Sequence, residues 1–475
     1  MDKDQEIERL VRDNREKDER IATLEQQVQS LMQRLQEVET RLSKDSHNSH
    51  LPPSSDRFVR QPKSLRKKSE KPSGGQPGHQ GHHLLQVERP DQVVVCVPET
   101  CGVCQQELDA QPIDHVVRRQ VFDVPPPRVL VTEYQMQSKR CPCCQALTQA
   151  ACPPTVTTAA QYGPEVQALA VYLSQVHLLP DQRICQFFSE VLALSLSAGS
   201  LHRWIAQCAH VLEPVEEAIK TALQRVPVLH QDETGLYQQG KRVWLHVSCT
   251  KTLTHYGVHA KRGRMAMDAI GIAPAFAGTS VHDGWESYQG YLCSHALCNV
   301  HHLRELTFLE ETFQQPWTTT LKRLLLHMNH VCEQARHVGQ TQVDDAVRQS
   351  LIHQYETLIH EGLVANPPSP PSPIPKRGRV KQSPARCLLL RLHTHQEQVL
   401  AFLQRLDVPF SNSQAERDLR MMKVQQKVSG CFRSQEGATD FCRIRGYVST
   451  MRKQGHALLS LLQTALVGVP VFPAF

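Results

Sequence analysis

No stretch of this 475-residue sequence stays apolar over the roughly 20 residues that a bilayer-spanning helix needs. The first residues are acidic and polar, without the basic start and apolar run of a secretory leader. Membrane and secretory readings are therefore set aside, and no membrane partner is expected. A strong charge of one sign is lacking too: Lys+Arg 53 stand against Asp+Glu 47, a formal net charge of +6. A polyanionic partner would have to be met by local charge. With no leader, the sixteen cysteines fit a reducing cytoplasm, where paired cysteines point to metal more often than to disulfides.

Local charge is present. Residues 57–71, "RFVRQPKSLRKKSEK", hold seven basic residues and one acidic one, with Arg66, Lys67 and Lys68 at the centre. From Glu416 to Lys453 there are nine basic and four acidic residues. A solvated face without a partner would look the same. The length exceeds one ordinary domain, so several units are expected.

The first unit is a heptad register. Ile7, Leu10, Asn14, Lys17, Ile21, Leu24, Val28, Leu31, Leu35, Val38 and Leu42 alternate by three and four residues. The reading is a coiled coil over 1–43 through which the chain self-associates, against a lone amphipathic helix on a globular body. Residues 44–90 lose all periodicity and read as a flexible basic linker. Two knuckles follow, "CGVC" at Cys101 and Cys104 and "CPCC" at Cys141 and Cys144, separated by alternating stretches that read as strands. Four thiolates can enclose and neutralise a tetrahedral Zn²⁺, so residues 91–155 are expected to form a zinc-binding β module. Cys143 and Cys152 are spare thiols, and buried free cysteines are the alternative. Over 160–224 the pattern is helical. Two short helices around "SLSAGS" suggest a helix-turn-helix, with Ser200, His202 and Arg203 early on its second helix, although helical hairpins are also common packing units.

From Pro227 three extended runs are followed by a helix and further strands, the order of an α/β RNase H-like fold. Asp232 follows the apolar run "VPVL", at the polar end of the expected first strand, and Asp283 follows "TSV" in the same way, 51 residues on. Two such acids and a third from a helix could hold a pair of Mg²⁺ (or Mn²⁺) ions, which take oxygen ligands and activate phosphodiester chemistry. Residues 305–404 read as a helical insertion with a Pro-rich loop. Beyond it, "SNSQAERDLRMMK" places Glu416 133 residues after Asp283. On a helix Glu416, Arg420, Lys423 and Lys427 share a stripe beside Arg417, setting a carboxylate among cations suited to phosphates. Ser413-Gln414-Ala415-Glu416 also spells a capping box. A glutamate turned back to cap cannot hold a metal as well, so Glu416 is expected to face the metals, with Asn412 or Ser413 capping the helix.

These blocks resemble the DDE-class transposases of the insertion sequence sixty-six family. The likeness runs through "NSHLPPSSD", "GGQPGHQGHH", "CGVC…CPCC", "DETGLY", "HDGWESY", "HALCNVHHLREL", "QAERDLRMMKVQQKVSGCFRS" and "GYVSTMRKQG". It implies Asp232, Asp283 and Glu416 as the catalytic acids of a core made of residues 225–304 and 405–460, with 461–475 as a tail. It implies a bacterial, nucleoid-associated enzyme that acts on double-stranded DNA, both element ends and target. Small accessory proteins of the same element are further partners. Ser411-Asn412-Ser413 stands where the family usually carries aspartate-asparagine-asparagine. A nuclease that cleaves without joining, or a non-catalytic zinc-dependent DNA-binding protein, is the rival reading. Cys298 and His301 have C-x-x-H spacing, but with only two ligands visible their expected role is packing around the second acid. The zinc module predicts about one Zn²⁺ held per chain by these knuckles, lost on replacing Cys101 or Cys141 and checked by metal analysis.

Overall fold

The computed structural model describes residues 3–44, 48–49, 84–124, 127–369 and 380–475. Most of the expected linker, including Arg66, Lys67 and Lys68, lies outside the described residues, as does the middle of the Pro-rich loop. No helix among the described residues is long and apolar enough to cross a membrane. The chain divides into two compact units, the smaller made of residues 65–150 and 187–195 and the larger of the remainder.

In the smaller unit each Cys-x-x-Cys forms a tight knuckle. The Gln105 N–H donates to Cys101 O, and the Gln145 N–H donates to Cys141 O. Both glutamines sit in the left-handed region, at φ 62° and 59°. Strand β1 (Ser138–Arg140) pairs antiparallel with β2 (Leu147–Gln149) across the second knuckle. Of the stretches expected as strands, 116–125 and 128–140, only Ser138–Arg140 is a strand among the described residues. A strand needs a ladder and a layer to cover its apolar face, and Val121, Val124, Leu130 and Val131 remain exposed.

The larger unit begins with one continuous helix, α1 (Lys3–Leu42), whose Ile21, Leu24, Val28, Leu31, Leu35 and Val38 are exposed along one stripe. Helices α2 (Pro164–Gln175), α3 (Asp181–Leu192), α4 (Ala198–Val211) and α5 (Glu213–Leu223) occupy the expected helical region. Pro164 starts α2, and the Ser197 side chain accepts from the Ser200 N–H to cap α4. Both α2 and α4 pack against α15 (Leu458–Leu466), so the segment expected as a tail begins inside a docked helix.

A five-stranded sheet follows, built from β3 (Val228–Gln238), β4 (Lys241–Cys249), β5 (Thr254–His259), β6 (Thr279–His282) and β7 (Ser294–Leu297). Its order is β5-β4-β3-β6-β7. The first three strands are antiparallel, while β6 and β7 run parallel to β3. Gln239 and Gly240 close the β3–β4 hairpin with positive φ at both positions, which matches the twist of paired strands. Helix α6 (Arg264–Ile270) carries the chain from β5 towards β6.

The expected insertion is helical: α7 (Asn299–Phe313), α8 (Pro316–His337), α9 (Asp345–Ala365), α10 (Pro384–Thr394), α11 (Gln396–Val399) and α12 (Ala401–Gln404). Its buried Leu325, Met328, Tyr355, Leu389 and Phe402 join Val281, Ala296 and Leu297 of β6 and β7 in one hydrophobic cluster. The insertion therefore completes the β6–β7 half of the core. The other half is covered by α13 (Ser413–Ser429) and α14 (Gln435–Lys453). Ala415, Leu419 and Met422 of α13 bury against Leu236, Val243, Leu245 and Val247. Gly446 brings α14 close to β5, since a Cβ there would stand 3.3 Å from Thr254 O.

A buried ion cluster ties α5, β5 and α14 together. The Arg443 Nε donates to Glu216 Oε2 at 2.6 Å, and His255 Nε2 lies 3.3 Å from Glu216 Oε1. Burial pushes the Glu216 carboxyl up, but His255 and Arg443 outweigh it and hold the group below the usual range. A depressed carboxylate contributes stability above its unfolded value of about 4.3 and loses it as pH falls through the folded one. Glu216→Gln should cost about 1–3 kcal/mol at pH 7. Urea unfolding should show that gap closing as pH drops below about 4.

Candidate active site

Asp232 lies in β3 opposite Val247, and its side chain therefore stands on the α13 side of the sheet. Its Oδ1 accepts the Glu233 backbone N–H at 2.8 Å. Asp283 is the residue after β6, and its Oδ1 accepts the Trp285 N–H at 2.9 Å. Since β6 pairs directly with β3 in parallel, Asp232, midway along β3, stands beside Asp283, the residue that follows β6. Glu416 sits in the first turn of α13. All three are half-buried. Burial raises the Asp232 carboxyl well above the usual carboxylate range, and the charges of Glu233, Asp283 and Glu416 add to the shift. Asp283 and Glu416 are thus both within electrostatic reach of Asp232, and a concentration of anions at a half-open site suits a hard divalent cation.

Glu233 points to the opposite face and is almost fully buried. Its Oε1 accepts from Arg262 Nε and Nη2 at 3.0 and 2.6 Å, and the Tyr288 hydroxyl donates to Oε2 at 2.7 Å. Arg262 lies 4.2 Å from the Trp285 ring centroid and 4.9 Å from that of Trp244. This clamp ties β3 to the loop that carries Asp283. Sequence reasoning missed it. The only signal was a second acid in "DETG" and the basic "KRGR" 29 residues later.

The capping box is not made. Neither Asn412 nor Ser413 caps α13 through its side chain. Asn412 is buried instead: its Oδ1 lies 2.9 Å from His230 Nδ1, and its Nδ2 donates to Gln231 O at 2.7 Å. Ser413 is exposed and accepts from Ser411 Oγ. Glu416 turns away from Ser413, with Oε1 3.6 Å from His301 Nε2. Cys298, His301 and Glu416 are brought together, a neighbour that C-x-x-H spacing alone did not reveal.

The expected DNA-facing cations divide. Arg417, Arg420 and Lys427 are exposed on α13. Lys423 is turned inward, its Nζ donating to Gly235 O at 2.8 Å. On α4, Arg203 is exposed, His202 lies 2.9 Å from Asp181 Oδ2, and the Ser200 hydroxyl is 3.0 Å from that of Ser197.

In the smaller unit both knuckles lower their leading thiol. Backbone amides of Cys104 and Val103, then the Cys104 side chain, act on Cys101; Cys144 and Cys143 do the same for Cys141. Amides aimed at a sulfur favour the thiolate that a metal needs. Among the described residues, the four thiols are not gathered within ligand distance of one point.

Residues 159–440, more than half of the chain, match the family described as Transposase IS66 family. The chain belongs to this family. It is a DNA transposase of an insertion sequence. Residues 98–145 match the zinc-finger binding domain of transposase IS66, which places zinc in the smaller unit of this transposase, and residues 3–85 match a family of unknown function. No curated protein matches the chain. The IS66 domain spans β3 to α13 and so includes all three acids.

Asn412→Ala should cost about 1–3 kcal/mol, because it strands a buried carbonyl and a buried ring nitrogen. Ser413→Ala should stay within about 0.5 kcal/mol, since no cap is lost. Denaturant unfolding of the two variants checks both.

Proposed function

We propose that this transposase cleaves the ends of its element and joins the freed 3′-hydroxyls to target DNA, using Asp232, Asp283 and Glu416 as a DDE set. The placement of these three carboxylates, Asp232 in β3, Asp283 after the adjacent β6 and Glu416 in the first turn of α13 over that sheet, carries the reading. The sheet order β5-β4-β3-β6-β7, three antiparallel strands and then two parallel ones, supports an RNase H-like core. Mg²⁺ or Mn²⁺, when bound, supplies a hard Lewis acid for phosphate oxygens. The chain's own part is positional. Strands β3 and β6 hold two acids side by side, the Glu233–Arg262–Tyr288 clamp fixes the loop of the second, and α13 brings the third. In the first reaction a water oxygen bonds to phosphorus as the P–O3′ bond breaks. In the second, the 3′-hydroxyl bonds to a target phosphorus and displaces an O3′ there.

Around this core, the smaller unit holds one Zn²⁺ through Cys101, Cys104, Cys141 and Cys144, the ion closing a link that the polypeptide leaves open. The exposed stripe of α1 pairs with a second copy as a coiled coil. Arg66, Lys67, Lys68, Ser200, His202, Arg203, Arg417, Arg420 and Lys427 contact DNA, while Lys423, expected among them, is committed to Gly235 O and fixes α13 on β3. Small accessory proteins of the element complete the assembly.

Asp232→Asn, Asp283→Asn and Glu416→Gln should each lower cleavage by at least about a hundredfold while leaving end binding intact. Gel-resolved cleavage and mobility shift on the same DNA measure the two. Full strand transfer by any of the three variants sinks the assignment. Pre-cut ends offered with a plasmid target should give joined product, which a simple nuclease cannot make.

A further inference from the structure

We propose that Cys298, His301 and Glu416 form a site for a soft divalent ion of the zinc class, separate from the zinc-finger unit. The ligand atoms of the three residues all lie within 4.8 Å of one another. Cys298 precedes α7 and His301 stands in its first turn, where the His301 N–H donates to Cys298 O at 3.2 Å. That turn sets sulfur and imidazole side by side, and the first turn of α13 brings the carboxylate to them. The separation of 3.6 Å between His301 Nε2 and Glu416 Oε1 is too long for a hydrogen bond. It is close to the roughly 3.3–3.4 Å between two such donors on one tetrahedral zinc, each about 2.0–2.1 Å from the ion.

Burial on balance pushes the Cys298 thiol up to about 11, so an ion has to displace its proton, and backbone hydrogen bonds, that of Asn412 foremost, work the other way. The Asn412 backbone N–H donates to Cys298 Sγ at 3.1 Å, the kind of bond that orients and stabilises a metal-bound thiolate. Exposure grades from the buried Cys298 to the 34% exposed Glu416 side chain, which leaves the fourth position towards solvent. Sulfur, nitrogen and one oxygen with an open position suit zinc, whereas Mg²⁺ prefers an all-oxygen shell. Binding would release the Cys298 thiol proton to solvent. Resting on the assignment of Glu416 to the DDE set, a second consequence follows: an ion held here withholds Glu416 from the harder metal and shuts the enzyme off.

The test uses the full chain, loaded with zinc at its finger, titrated with Co²⁺ alone. One further equivalent should bind, with a sulfur-to-cobalt charge-transfer band that disappears in Cys298→Ser. His301→Gln, at a less buried position, should weaken that equivalent at least tenfold, while Cys101→Ser/Cys104→Ser should keep it. A Co²⁺ spectrum indifferent to Cys298 and His301 overturns the site. Zn²⁺ added to Mg²⁺-dependent end cleavage should inhibit it tenfold or more, and the ratio with and without Zn²⁺ should approach one in Cys298→Ser. Inhibition unchanged in that variant overturns the shut-off. If Glu416→Gln cleaves normally, the DDE assignment fails while cobalt binding still decides the site.

Discussion

Like charges crowded around the two central strands β3 and β6 are the constraint to which the rest of the larger unit answers. Glu233, Asp283 and Glu416 all act on the charge of Asp232, which lies midway along β3 beside the end of β6 and under the first turn of α13. Left to themselves they would spread apart or stay protonated. Two arrangements oppose that. The parallel pairing of β3 with β6 fixes the strand ends, and the apolar stripe of α13 pins its first turn over β3. Glu233 is relieved by Arg262 and Tyr288, and Arg262 is in turn bracketed by two tryptophans. Among the described residues no cation is paired with Asp232 as Arg262 is with Glu233, so the cluster keeps an anionic site suited to a ligand. Stability given up at one point and recovered in surrounding packing is the usual pattern at functional sites.

Much of this was readable from the residues because it rests on local pattern. Asp232 and Asp283 stand out since each follows an apolar run; Asp283 does come just after β6, whereas β3 continues six residues past Asp232 as the central strand. The heptads of α1 and the knuckle spacing are equally local, as are the helices after Gly163. Features that depend on partners far along the chain were not readable. Asn412 looks like a cap, yet its amide is committed to His230 and Gln231, some 180 residues earlier, and the capping box dissolves with it. The alternating stretches between the knuckles have strand composition but no covering layer. Spacing showed Cys298 and His301 as two ligands in search of others, since only folding brings Glu416 beside them.

The insertion illustrates the same point on a larger scale. By sequence it divides the core, and a detachable module would be the natural reading. By packing, its leucines and Val281, Ala296 and Leu297 belong to a single cluster. Removing it would bare the strands that carry the second acid.

The placement of α13 and α14 has a bearing on synthesis. Strands β3 to β5 leave the ribosome about 160 residues before the helices that cover them, and contacts so distant in sequence form late. Until then Leu236, Leu245 and Val247 lack their cover, and the third carboxylate does not exist. A chain that stops short of α13 therefore has an unfinished fold and, on the proposed assignment of Glu416, an unfinished cutting site together. Premature termination yields fragments to be cleared, not partial enzymes free to nick DNA near the gene that encodes them.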